Sequence, residues 1–294
     1  MIVVVCPAGA CTGGPEALHQ LVDMINHEEP GFGAICYSPF DSAHEKVSAY
    51  DMYNTPIILK QDIPENALVV LPEIIPQCVN EFTQKCALWW LSVDNYLDTG
   101  EGDRNNMFMH LSQSEFARKT IKDRYGITSH MLTDYINGRF LIPENIERKR
   151  RVMVNPAKGQ HLIDEFTAKN PDLEIFGMRY QPREEVHKEL QKSEIYIDFG
   201  HHPGRDRFPR EAALCGAIVL STRLGAAGNY TDMPLDDFYK FDTVDEVSSK
   251  VREILLDVDS HRKNQEEYVD IIKHQKFAFK TEVHSLINVV KEFL

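Results

Sequence analysis

The 294-residue chain lacks a surplus of positive charge: 32 Lys and Arg stand against 45 Asp and Glu, a formal charge of −13. A field of that sign repels polyanions, which excludes non-specific binding to nucleic acid or an anionic membrane over most of the surface. Any phosphate must therefore be met by a local basic pocket. Long hydrophobic runs are missing as well. The longest, near Ala87 to Val93, falls far short of the about 20 residues a membrane helix needs. No C-x-x-C pair and no zinc-ligand spacing occurs among Cys6, Cys11, Cys36, Cys78, Cys86 and Cys215, and four of these lie in apolar surroundings. Buried free thiols in a reducing cytoplasm are expected. A basic leader is also missing: Met1 to Val5 runs straight into a Gly-rich turn and reads as a buried strand rather than a signal peptide.

What is present is a globular composition, 43% hydrophobic and 26% charged, which excludes disorder and allows a sizeable core. At roughly 150 residues per domain, the length suggests two domains. Strand and helix signals alternate. Residues 1–6 form an apolar strand, and Gly13-Gly14-Pro15 opens a helix whose Ala17, Leu18, Leu21, Val22 and Ile25 keep the helical period. Short apolar strands near 34–37, 67–71, 87–93 and 107–111 suit a parallel sheet covered on both faces. Ser112 or Ser114 caps a helix that runs through Arg124 and stops at Gly126.

The charged stretch Glu147 to Arg151 reads as a solvated linker or hinge, dividing an N-terminal domain, 1–147, from a C-terminal domain, 148–294. Beyond it, strands at 152–154, 174–177, 195–198 and 217–221 alternate with helices at 158–168, 183–192 and 209–215. Thr243 and Glu246 form a capping box before a helix with Val247, Val251, Ile254, Leu255 and Val258 on one face, and a further helical segment closes the chain. The order implies an α/β protein of two doubly wound parallel-sheet domains. In such pairs ligands lie at the carboxyl ends of the strands, in the crevice between domains.

Three loops fall at strand carboxyl ends. The run from Asp198 to Thr222 sets histidines, arginines and glycines between two apolar strands, and Pro209 suits a first helical turn whose free N–H groups face the loop. With Arg205, Arg207 and Arg210 beside it, this is an anion site; a solvated loop with surface arginines is the plain alternative. In the turn Asn155 to Gly159, Lys158 offers a point charge to a diphosphate. In Gly13-Gly14-Pro15-Glu16, Gly14 lets the backbone approach a phosphate or a sugar hydroxyl, where a simple tight turn is the alternative. The spacing is not G-x-G-x-x-G and no acidic residue ends the second strand, so a nicotinamide site is not expected.

Asp94 follows an apolar strand beside Trp89, Trp90 and Tyr96, and in a water-poor crevice its raised pKa would let it take a proton from an attacking hydroxyl. A capping Asp serves equally well there. Glu16 with His19, one turn apart, is a second candidate base, although a solvent-facing pair on an amphipathic helix is the preferred reading of those two. His201 and His202 lack further ligands at zinc spacing, and no metal site is expected.

From about Met107 to Thr243 the chain resembles the GT-B glycosyltransferases, most of all glycosyltransferase family 4. Ser112 to Arg118 with Tyr125-Gly126 is similar to the family's Ser-Glu-Phe-Ala-Arg helix and its close. Asn155 to Gly159 looks like the turn that carries the phosphate-binding lysine, Glu211 to Ser221 resembles the signature whose glutamate holds the donor ribose, and Gly225 with Gly228 resembles the glycine turn that follows. The resemblance implies two Rossmann-like domains with an interdomain cleft. It implies a cytoplasmic, metal-independent transferase without cofactor, the nucleotide-sugar being a substrate held by Gly14, Lys158, His202, Arg205, Arg210 and Glu211. The acceptor is then a carbohydrate or lipid-linked glycan in cell-surface polysaccharide biosynthesis, with peripheral contacts at the inner face of the membrane or with a partner transferase, and no nucleic acid. Two departures stand out. Retaining members carry a glutamate eight positions before the ribose glutamate, where this chain has Pro203, and the arginine that commonly precedes the phosphate lysine is missing. An inverting reaction with Asp94 as base, an inactive GT-B-like binding subunit, and another nucleotide-sugar enzyme such as an epimerase therefore stay open.

Overall fold

The computed structural model describes residues 1–98, 101–141, 147–178 and 183–293. The chain divides into two compact units, Met1–Tyr135 with Lys276–Leu294, and Ile136–Gln275. The expected boundary at 147/148 therefore lies 12 residues too late (147 against 135), and the chain's last residues return to the first unit.

In the first unit, β1 (Ile2–Pro7), β2 (Gly33–Ser38), β3 (Leu68–Pro72), β4 (Lys85–Trp90), β5 (Met109–Ser112) and β6 (His130–Met131) form one parallel sheet in the order β2-β1-β3-β4-β5-β6. The central strands are apolar on both faces because both are covered. Ile2, Val4, Leu68 and Val70 face one core with α1 (Gly13–Glu28), while Val3, Val5, Val69 and Leu71 face the other with α3 (Glu115–Tyr125), the short α2 (Glu101–Asn105) lying before β5. α3 begins where Ser114 accepts the Ala117 N–H, 2.9 Å, and ends at Gly126 in the left-handed region, φ 70°. The expected strand over 87–93 stops at Trp90, and Leu91 to Tyr96 turns away.

In the second unit, β7 (Lys149–Val154), β8 (Glu174–Gly177), β9 (Ser193–Asp198), β10 (Ile218–Thr222) and β11 (Lys240–Phe241) form a parallel sheet in the order β11-β10-β9-β7-β8. Around it lie α4 (Gln160–Lys169), α5 (Arg183–Lys192), α6 (Arg207–Leu214), α7 (Val244–Leu256) and α8 (Val258–Asn264), followed by α9 (Glu266–Phe293), which begins in this unit and ends in the first. Thr243 caps α7 by accepting the Glu246 N–H, 3.2 Å, and the Glu246 carboxylate reaches back to the Asp242 N–H, 2.9 Å, one residue earlier than a strict capping box.

The stretch Glu147 to Arg151 is neither linker nor hinge: from Lys149 on it is the start of β7, an interior strand. Arg151 is buried, donating to the Ser193 Oγ at 2.9 Å and to the Glu189 carboxylate, and Arg148 donates to the carbonyls of Ser193 and Cys215. Cys6, Cys36, Cys86 and Cys215 are buried free thiols, as their surroundings in the sequence suggested.

Candidate functional site

The second sheet ends at its carboxyl edge in a tightly tied set of polar loops. Asp198 closes β9 and is completely buried, a position that would ordinarily neutralise a carboxylate. It accepts the Tyr196 hydroxyl at 2.8 Å and the Gly200 N–H at 2.9 Å, and its Oδ1 lies 3.4 Å from His202 Nε2. The other ring nitrogen of His202 lies 3.5 Å from Asp206 Oδ2, and Asp206 is in turn salt-bridged to Lys158 Nζ. Carboxylate, imidazole, carboxylate and ammonium thus stand in a row.

Burial opposes charge on each buried member, but the neighbours win. The cation on His202, with Lys158 and the Gly200 N–H, holds Asp198 well below the usual carboxylate range, and Asp198 and Asp206 raise His202 above its ordinary value. The linkage has two signs. The raised His202 stabilises the fold below its unfolded value and loses that effect as pH rises through the folded one; the depressed Asp198 stabilises above its unfolded value and loses that effect as pH falls through the folded one.

Asp198, His202 and Asp206 also bring three metal-type ligand atoms within 4.8 Å of one another, which a reading based on zinc spacing did not foresee. The spacing that could have found them is four residues, twice, along a loop. Their charge is already met by Lys158 and the doubly flanked imidazole.

Two glycines let the loops close on each other. Gly159 sits at φ 63°, and a Cβ there would lie 2.5 Å from the Phe199 carbonyl oxygen. Gly225 sits at φ 70°, and its Cβ would lie 2.2 Å from the His202 carbonyl oxygen, which accepts the Ala226 N–H at 2.8 Å. Lys158 reaches over this joint and donates to the His201 carbonyl at 3.2 Å.

α6 starts at Arg207, two residues before Pro209, which therefore occupies its first turn. Glu211 lies half-buried one turn on, its carboxylate 3.6 Å from Arg207 Nε. Arg210 is not a surface cation. It is buried, and its guanidinium donates to the carbonyls of Asp206 (3.1 Å) and Arg205 (2.6 Å) and to Gln275 Oε1 (2.9 Å), so it pins the loop from within. Arg205 is half-buried and lines, with His202 and Asp232, a cavity of about 10 Å³. The fully buried Tyr268 hydroxyl at that cavity has no hydrogen-bond partner among the described residues.

In the first unit the placements differ more from expectation. Gly14 is half-buried as the second residue of α1. Glu16 and His19 are not a solvent-facing pair: both are completely buried. Glu16 accepts the Tyr53 hydroxyl at 2.8 Å. His19 stacks on Tyr50, 4.4 Å between centroids, and lies 3.2 Å from the Thr55 hydroxyl and 3.3 Å from that of Tyr37. Burial, helped by Lys46, lowers its pKa to about 4, so the ring is neutral. Asp94 is exposed in the turn after β4, so the water-poor setting expected for it is missing.

A carboxylate that has that setting directly after a strand of the first unit is Glu73, which the sequence reading passed over. It directly follows β3, is 3% exposed, and accepts the Leu91 N–H at 3.1 Å. Burial pushes it up to about 7, against its backbone hydrogen bonds. The signal was available: an acidic residue immediately after an all-apolar strand.

By sequence, no family profile and no curated protein matches the chain. By structure it is similar to sucrose-phosphate synthase from Thermosynechococcus elongatus, with TM-score 0.67, 11% identity, and 99% of this chain and 98% of that one covered. It is also similar to Anabaena HepE solved with UDP and glucose, with TM-score 0.69, 11% identity and 99% of each chain covered. The fold is GT-B. The lipopolysaccharide outer core galactosyltransferase WaaB, in its apo form, shares the GT-B likeness with TM-score 0.62, 11% identity, and 96% of this chain and 99% of that one covered. Each GT-B unit here thus carries its polar loops at the carboxyl edge of its sheet. Among the described residues, no helix is long and apolar enough to cross a membrane.

Proposed function

We propose that the chain is a glycosyltransferase whose second unit binds a nucleotide-sugar donor and whose first unit receives a carbohydrate or lipid-linked glycan acceptor. The observation that carries this reading is the meeting of Lys158, the His201 to Asp206 loop and the first turn of α6 at one sheet edge. It belongs to a fold shared with HepE, which was solved with UDP-glucose. Lys158 and the α6 N-terminus would offset the diphosphate's growing charge without a metal, Arg205 would add to the positive field, and Glu211 would accept from the ribose hydroxyls. His202 and Arg210 act at one remove, by fixing the loop. On the acceptor side, Gly14 brings α1's first N–H groups close. Glu73 is the proposed proton acceptor if the reaction inverts, and exposed Asp94 orients the acceptor. Glu16 keeps Tyr53 in place. The likeness to WaaB supports a place in cell-surface polysaccharide assembly, at the cytoplasmic face of a membrane.

UDP, GDP, dTDP and CMP are compared for thermal stabilisation, followed by donor hydrolysis with Lys158→Ala and Glu211→Ala as controls. Stabilisation by at least one nucleotide, lost in both variants, is expected; stabilisation by none overturns the reading. Pro203, at the glutamate position of retaining enzymes, favours a second reading, a binding subunit without turnover. Nucleotide stabilisation with no hydrolysis and no transfer would select it.

A further inference from the structure

β2 and β3 are joined by residues 39–67, whose helical content is limited to the 3-10 turns Ser48–Tyr50 and Lys60–Asp62. β3 and β4 are joined through a third such turn, Pro76–Glu81. Crossovers in a parallel sheet ordinarily lay a helix on the sheet face, and a long connection without one, inside a compact unit, is characteristically functional. Where helices are missing, a groove of about 740 Å³ opens. That falls in the range of about 300–1,000 Å³ typical of small-molecule sites.

Its floor is apolar, Ile63 and Cys78 lying on the core of Val3, Val5 and Val69. Two half-buried rings, Phe40 and Phe82, stand edge to face 5.3 Å apart on its wall. Lys60 Nζ lies 5.2 and 5.7 Å from their centroids and is held there by Glu81 at 2.6 Å. Asp41, Gln61 and Thr83 are among the polar residues that line it. A smaller hollow of about 210 Å³ shares Phe40, Asp41 and Gln61 with the groove and lengthens it.

We propose that this groove binds an uncharged oligosaccharide segment of the acceptor, an inference that rests on the glycosyltransferase reading. Phenyl rings offer flat apolar surface to the C–H face of a pyranose, while a carboxylate, an amide and a hydroxyl can accept from or donate to its hydroxyls. Charge decides between glycan classes. Glu81 balances Lys60, Asp41 leaves the groove negative, and the chain as a whole carries −13, so sulfated, phosphorylated or uronic segments are repelled.

The test uses the full chain and saturation-transfer NMR with two sets of probes: uncharged trisaccharides of glucose, galactose and N-acetylglucosamine, and a heparin tetrasaccharide. Transfer to at least one uncharged trisaccharide is expected, weakened at least tenfold by Phe82→Ala. Thr83→Trp, at an exposed position, should block it with circular dichroism unchanged. Stabilisation by whichever of UDP, GDP, dTDP and CMP binds should be the same in wild type and both variants. Transfer to none of the uncharged probes, preference for the heparin fragment, or binding unchanged in Thr83→Trp would overturn the inference. Absence of nucleotide stabilisation in the wild type would instead sink the transferase reading, leaving the groove to be judged on the saccharide result alone.

Discussion

Asp198 in the second unit and Glu73 in the first are both buried carboxylates at the carboxyl end of a parallel strand, and their environments push them in opposite directions. Asp198 has a hydroxyl, a backbone N–H and the His202 ring, and stays ionised. Glu73 has backbone amides to accept from and rises to about 7. Hydrogen bonds alone do not offset the loss of water around a charge; a nearby cation does. The second unit therefore holds fixed charge, suited to neutralising an anion, while the first holds a carboxyl that changes charge near neutral pH, suited to moving a proton.

The contrast can be broken most forcefully at Asp198. Asp198→Ala leaves a buried imidazolium with one flanking carboxylate and should cost about 3–5 kcal/mol of the second unit's stability, read as a lowered denaturant midpoint; a loss under 1 kcal/mol would mean that the row of charges carries no weight.

Next comes pH. Folded Glu73 holds its proton more tightly than an ordinary glutamate at 4.5, so the first unit should lose stability as pH rises from there through about 7 and level off above. The loss is on the order of 3 kcal/mol. Trp89 and Trp90 lie in β4 of the first unit, so tryptophan fluorescence during denaturation reports it, and Glu73→Gln should abolish the slope. An unchanged slope would place its origin elsewhere.

Lys158→Ala should weaken nucleoside diphosphate binding at least tenfold, about 1.4 kcal/mol, by calorimetry. Full affinity in that variant would mean that the second unit's fixed charge does not face the ligand. Asp94→Asn should be the smallest effect. Being exposed, it should shift stability by no more than about 0.5 kcal/mol and leave donor hydrolysis intact. A large hydrolysis defect would return the base to Asp94.

Much of the second unit was legible because strands buried on both faces are continuous apolar runs and its helices carry clear caps. β8 and α5 fall at the residues the pattern indicated, and the Thr243 cap was visible in one side chain; in the first unit Ser114, one of the two serines offered as a cap, begins α3. The misreadings share one cause. Arg150 and Arg151 looked like part of a solvated run because their partners, Leu255 for the first and Ser193 and Glu189 for the second, lie 38 to 105 positions away. Glu16 and His19 looked exposed because Tyr53 and Thr55, which meet them, lie in a connection with no period. Arg210 looked like an anion ligand because composition counts its charge, and only the fold shows the carbonyls it holds. Polar groups satisfied by distant loops leave no local signature.

α9 sets the order of assembly. Its residues Phe279, Val283, Leu286, Ile287 and Val290 belong to the same core as Ile2, Val4 and Leu18, and they are synthesised after the whole of the second unit. The N-terminal unit, although made first, cannot complete its core until the chain between has been synthesised. The second unit, 136–275, is contiguous and can close before it. In a nascent chain the later-made unit thus has the earlier opportunity to finish, and a chain cut after Gln275 would leave the older half with an open hydrophobic face.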